Sequence, residues 1–99
     1  MAFKLIWSLS ARHDLKDVTA FIAEDNVAAA LQFRRNILQK VERLCDFPES
    51  GRIVPELNKP SIREIVHKPC RIVYRVNHEK YIIEIVRVWH AARGVPEIQ

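Results

Sequence analysis

Ser61-Ile62-Arg63-Glu64-Ile65-Val66-His67, Cys70-Arg71-Ile72-Val73-Tyr74-Arg75-Val76 and Tyr81-Ile82-Ile83-Glu84-Ile85-Val86-Arg87-Val88-Trp89-His90 follow one another with only two short breaks, Lys68-Pro69 and Asn77-His78-Glu79-Lys80. β-Branched residues fill all three runs, so each reads as a strand, and the second break reads as a hairpin turn. In the middle run Cys70, Ile72, Tyr74 and Val76 share one parity, and Arg71, Val73 and Arg75 share the other. The first set suits a buried face and the second an open one. In the last run both parities are mostly apolar, as in a central strand, and alternation alone does not orient it. Arg or His interrupts every run. A guanidinium keeps its charge in any protein and needs an anion or water, so its recurrence in sheet-forming segments points to a face that meets something negative.

Upstream, Phe3 to Trp7 reads as a first strand, with Ser8 or Ser10 placed to cap a helix. Ala11, Leu15, Val18 and Ile22 then recur at helical spacing, with Phe21 widening the stripe. Asn26 is placed to cap a second helix whose stripe is Ala30, Phe33, Ile37, Val41 and Leu44, flanked by Leu38 and Cys45. Pro48 disfavours helical geometry at Phe47, so residues 9–47 form a helical hairpin. Residues 48–60 hold three of the five prolines and form a loop, with a short extended piece at Arg52-Ile53-Val54. The tail from Gly94 is expected to fray. The order is β-α-α-β-β-β: an α+β fold in which a helical hairpin packs on one face of a small, mostly antiparallel, four-stranded sheet. The whole chain, residues 1–99, is expected to be a single domain. The helical stripes have one surface to cover, which leaves the opposite sheet face bare.

Hydrophobic residues make up 48% of the chain, enough for a folded core. No apolar run approaches the ~20 residues of a membrane span, and no signal peptide is expected at the N-terminus, so the cytoplasm is the expected compartment. Cys45 and Cys70 fall at apolar positions and read as small core residues. With no CxxC and no histidine pair at i, i+4, neither a metal nor any other cofactor is expected. Charge is uneven. Residues 1–50 carry seven Lys/Arg and seven Asp/Glu, whereas residues 51–99 carry nine against five, the whole excess of +4. That asymmetry points to an acidic partner.

The candidate site is the open sheet face: Arg71, Arg75 and Arg63, joined by His90 and Arg93 at the end of the last strand, with Glu56 or Glu84 nearby. Arginine fits phosphate or carboxylate bidentately, and an imidazole moves protons near neutral pH. Together with a glutamate they could supply the base, acid and cations of metal-free RNA cleavage. The competing reading is plainer: Arg71 and Arg75 pair with Glu64 and Glu84 across the sheet, and His90 is a structural hydrogen-bonding residue.

Phe47-Pro48-Glu49-Ser50-Gly51-Arg52-Ile53-Val54-Pro55-Glu56-Leu57, Ile62-Arg63-Glu64-Ile65, Arg71-Ile72-Val73-Tyr74-Arg75-Val76 and Ile83-Glu84-Ile85-Val86-Arg87-Val88-Trp89-His90-Ala91-Ala92-Arg93 together resemble the RelE/ParE toxins of bacterial type II toxin–antitoxin systems. The resemblance covers nearly the whole chain. It implies the same β-α-α-β-β-β fold, a growth-inhibiting activity and a cognate antitoxin that wraps the toxin in a heteromeric complex. RelE-like members cleave mRNA on the ribosome; in that case Arg71 and His90 match catalytic positions, and Glu56 joins them. ParE-like members inhibit DNA gyrase and trap it on DNA without hydrolytic chemistry; in that case Arg63, Arg71, Arg75 and Arg93 are the target-binding set. Ala91 stands where His-bearing relatives have a tyrosine, and the lysine cluster of RelE is absent. The run from Glu84 to Arg93 is similar to ParE, and the expectation is a gyrase inhibitor. The alternatives are an mRNA endonuclease and an inactive fold that serves as antitoxin partner.

Overall fold

A computed structural model describes residues 2–98. Strand β1 (Lys4–Trp7) is followed by helices α1 (Leu9–Asp25) and α2 (Val27–Arg43), a two-residue strand β2 (Arg52–Ile53), and strands β3 (Ile62–His67), β4 (Cys70–Asn77) and β5 (Ile82–His90). The sheet has five strands in the order β1-β5-β4-β3-β2; β1 runs parallel to β5 and the other pairs are antiparallel. The fifth strand is the short extended piece expected at Arg52-Ile53.

Both helices start where a side chain can take an orphan amide. The Ser8 hydroxyl accepts from the Ala11 amide at 3.0 Å, and the Asn26 carboxamide accepts from the Ala29 amide at 3.0 Å. The Ser8 hydroxyl also donates to the Val86 carbonyl at 2.8 Å, so one residue begins α1 and ties it to β5. Ala11 and Leu15 of α1, and Ile37 and Val41 of α2 with the following Leu44, pack on Cys70, Ile72, Tyr74, Val76, Ile83, Ile85 and Val88. This is the helix-facing parity expected for β4. Phe21 departs from expectation: it stands 72% exposed, at the margin of a cleft beside the end of β5 and not within the core.

The opposite face is not bare. Val54, Ile62 and Val73 form a second apolar cluster, with Leu57 and Ile98 packed against it. The segment after β2 and the C-terminal tail therefore lie over this face. The tail is tied down: Pro96 is buried, the Trp89 indole donates to the Gly94 carbonyl at 3.1 Å, and Arg87 donates to the Glu97 carbonyl at 3.3 Å. Among the described residues no helix is long and apolar enough to cross a membrane.

Candidate functional site

Arg71 and Arg75 do lie on the face away from the helices, and each has a carboxylate partner. Arg71 donates through Nε to Glu64 at 2.6 Å and through both terminal nitrogens to Glu56 at 2.9 and 2.7 Å. The far oxygen of Glu64 accepts from Arg52 at 2.7 Å. The result is a chain of alternating charge, Arg52–Glu64–Arg71–Glu56. Its centre is dry: the Glu64 side chain is 0% exposed and that of Arg71 12%. Both oxygens of Glu64 are engaged by guanidinium groups, as a buried carboxylate requires. The bidentate bond from Arg71 holds the Glu56 carboxyl down at about 2, and the same bonds raise the Arg71 guanidinium. Arg75 pairs with Glu84 directly across β4 and β5 at 3.0 Å.

The plainer reading of these arginines was therefore the right one for pairing, and a face of uncommitted guanidinium groups is not what the chain builds. The cause is strand register. β3 and β5 place a glutamate beside each arginine of β4, and the loop after β2 brings Glu56 over the remaining donors of Arg71.

His90 stands on the other side of the sheet. A β-bulge in the β4–β5 pairing sets Val73 opposite Arg87 and Tyr74 opposite Ile85, so Val86 is the extra residue. Below the bulge Ile83 and Ile85 face the helices; above it Val88 and His90 do. His90 pairs with the helix-facing Cys70, while Trp89 pairs with Arg71. The histidine lines a cleft of about 310 Å³ with Asp14, Asp17 and Phe21 of α1. Its Nδ1 accepts the Ala92 amide at 3.1 Å and starts the short 3₁₀ turn Ala91–Arg93. Sequence parity could not orient β5 because the bulge breaks it.

Arg63 is also off the open face. It pairs with Tyr74 in register and turns beneath the loop after α2, donating to the Gly51 carbonyl at 3.0 Å. Tyr74 is buried beside it, donating to the Pro48 carbonyl at 2.8 Å and accepting from the Gly51 amide at 3.0 Å. Arg63 and Tyr74 thus fix the descent from α2 into β2. Arg93 is exposed, with its guanidinium 4.0 Å from the centroid of the Trp89 ring; Arg87 sits 4.8 Å from the same ring. Of the four candidate arginines and the histidine, only Arg71 and Arg75 are strand residues that share the face away from the helices, and only Arg71 meets Glu56.

Two roles were missed from sequence. Glu64, expected only as a partner of Arg71, is the buried hub of the ion chain and also holds Arg52; its place inside a β-branched run was the available signal. Asp14 accepts the Val88 amide at 3.0 Å and pairs with Arg87 at 2.7 Å. It thereby closes the β5 edge that the short β1 leaves uncovered.

A second concavity, of about 620 Å³, lies between α1, α2 and the β1 edge. Trp7, Leu15 and Leu38 form its floor, and Arg12, Lys16 and Arg34 its rim.

The family model described as the ParE toxin of the type II toxin–antitoxin system parDE matches residues 5–95. The chain belongs to the ParE toxin family. It is 33% identical over 97 residues to the Sinorhizobium fredii protein Y4kP, which carries a toxin name; the match covers 96% of this chain and 95% of that protein. Among solved structures the toxin resembles a chain of the chromosomal ParDE system of P. aeruginosa, with a TM-score of 0.71, 22% identity, and 90% and 96% of the two chains covered. It also resembles a mutant of the E. coli toxin RelE in the free state, with a TM-score of 0.69, 17% identity, and 95% and 88% covered. A third is the toxin–antitoxin complex RelBE2 of Mycobacterium tuberculosis, with a TM-score of 0.58, 21% identity, and 91% and 99% covered. At these identities the likeness is one of fold, and it matches the β-α-α-β-β-β order read from the sequence.

Proposed function

We propose that this ParE-family toxin arrests growth in the cytoplasm by binding and poisoning DNA gyrase, without hydrolytic chemistry of its own, and that a cognate antitoxin neutralises it. The observation that carries the first part is the commitment of Arg71. Metal-free RNA cleavage needs a cation and an acid–base group converging on one phosphate within hydrogen-bond reach. Here the arginine of the sheet is tied by three hydrogen bonds to two carboxylates of the same chain, and the imidazole of the last strand stands on the far side of the sheet as a turn cap. A protein that acts by binding needs no such convergence. Arg93 and Arg75, the more exposed of the candidate cations, are then the target-facing pair, while Arg63 and Arg71 hold the fold. The hairpin groove, apolar in its floor and cationic at its rim, suits an amphipathic acidic segment of the antitoxin.

Purified toxin, assayed in parallel on gyrase and on ribosome-bound mRNA, separates the readings. Supercoiling should fall and cleavage complexes accumulate, with relief by stoichiometric antitoxin, while mRNA stays intact. Site-specific mRNA cuts with gyrase unaffected would overturn the proposal in favour of an endonuclease. Antitoxin binding with neither activity would mark an inactive partner protein.

A further inference from the structure

The side of the sheet remote from β1 carries a second groove whose composition differs from that of the hairpin groove. β2 is two residues long and pairs only with Arg63 and Glu64. Just before it, Gly51 leaves the sheet to meet Tyr74. A Cβ at Gly51 would lie 2.6 Å from the Glu64 carbonyl oxygen and 2.6 Å from the Tyr74 hydroxyl, so only glycine allows this close descent. The outer edge of β3 beyond Glu64 is consequently left without a strand partner. Ile62 turns its backbone groups outward, accepting from Val54 and donating to Lys59, and the two-residue period repeats that orientation at Glu64 and Val66. At Val66 the carbonyl meets the Lys40 ammonium at 3.4 Å, an exposed contact at the limit of a hydrogen bond.

Between this edge and the C-terminal half of α2 lies a groove of about 470 Å³. Its cations are Lys40, Arg43 and Arg52; its one anion, Glu64, is already held by Arg52 and Arg71. Phe47 and Val66 border it with 61% and 48% of their surface exposed. A strand edge, two unpartnered apolar side chains and surplus positive charge are what an extended acidic polypeptide with an apolar anchor would use: main-chain bonds for register, the apolar contact for affinity, the charges for approach. A nucleic acid would use the cations and leave the strand edge and the apolar border idle.

We infer that this groove seats an extended acidic segment of the toxin's target protein. The inference rests on the reading of the toxin as an inhibitor that binds a protein target. The target is favoured over the antitoxin by size and placement. The hairpin groove is larger, has the apolar floor a long-lived neutralising complex needs, and opens at the β1 edge, three strand spacings or roughly 14 Å away. The β3 groove has a small apolar border and is rich in charge, which suits rapid, steered capture.

The test uses the full chain with Lys40→Glu/Arg43→Glu, both exposed, and separately Phe47→Ser; circular dichroism and thermal melting verify folding. Gyrase supercoiling is titrated with each, antitoxin affinity is measured by calorimetry, binding to a fluorescent DNA duplex by anisotropy, and growth arrest after induction in cells. The double variant should need about 100-fold more protein for half-inhibition, and Phe47→Ser about 10-fold more, with antitoxin affinity within about threefold of wild type. Unchanged inhibition by both variants overturns the inference. So does a matching loss of antitoxin affinity, which would assign the groove to the antitoxin, or a loss confined to duplex binding, which would assign it to DNA. If the wild-type toxin leaves gyrase untouched, the gyrase proposal fails by itself. Growth arrest then decides the groove: arrest lost with the double variant supports it, and arrest undiminished overturns it.

Discussion

Replacing Glu64 with glutamine removes one charge and almost no volume at the hub of the ion chain. Each carboxylate oxygen serves a different arginine, Oε1 taking Arg71 at 2.6 Å and Oε2 taking Arg52 at 2.7 Å. A carboxamide keeps one acceptor and turns its amino group, a donor, onto the other guanidinium. Breaking a buried ion pair from one side costs about 3–5 kcal/mol. The lower end applies here, because Arg52 is 59% exposed and rehydrates, and Arg71 keeps Glu56. A loss of about 3 kcal/mol corresponds to a fall in Tm of about 12–24 °C for a domain of this size. Urea unfolding followed by circular dichroism measures it, with Glu84→Gln as control. The Glu84–Arg75 pair is more than a third exposed on both sides, so its loss should cost under about 1 kcal/mol. A Glu64→Gln variant within about 1 kcal/mol of wild type would refute the assignment of this chain of charges as a structural tie. The matter bears on function, because a dispensable hub would leave Arg71 available for chemistry.

Gly51→Ala should destabilise by about 3 kcal/mol, since the new methyl meets a backbone carbonyl and a buried tyrosine that have little room to move; thermal melting reads it. Asn26→Ala should cost about 1 kcal/mol as a lost helix cap, and Ser8→Ala about 2 kcal/mol because the bond to the Val86 carbonyl goes with the cap; equal losses would show that the sheet tie contributes nothing. The Glu56 carboxyl is depressed in the folded protein, so its pairing with Arg71 is fully present above the ordinary glutamate range and is lost as pH falls through about 2. A carbon-detected NMR titration with a Glu56 midpoint near 4 would contradict the bidentate bond. Burial pushes the Cys70 thiol up to about 11 and also raises that of Cys45, but Cys70 is buried whereas Cys45 is partly exposed. A disulfide reagent at neutral pH should therefore modify Cys45 first and Cys70 only on unfolding.

The sequence was most legible where a period repeats without interruption. The alternation of β4 assigned Ile72 and Tyr74 to the core, and the spacing of Ala11, Leu15, Ile37 and Val41 assigned the inner faces of the hairpin. Asn26 was legible as a cap because its carboxamide acts on an amide only three residues on. The site was less legible, since its geometry depends on partners distant in the chain. Nothing local to Arg71 says that Glu56, fifteen residues away and on the other side of β3 in the chain, will close over it. Nothing local to Arg63 says that the loop after α2 will fold across it. The tail looked featureless because Ile98 is anchored by Val54, Ile62 and Val73, from a loop and two strands that no window of sequence contains together.

The extra residue at Val86 sets the phase of everything that follows it in the chain. Excising that one residue would restore strict alternation and leave the rest in place: Arg87 would follow Ile85 directly, still opposite Val73, and His90 would still lie opposite Cys70. Keeping Val86 while losing the bulge would instead set Trp89 opposite Cys70 and turn His90 to the side of Arg71, so one local irregularity of pairing decides whether imidazole and guanidinium share a face.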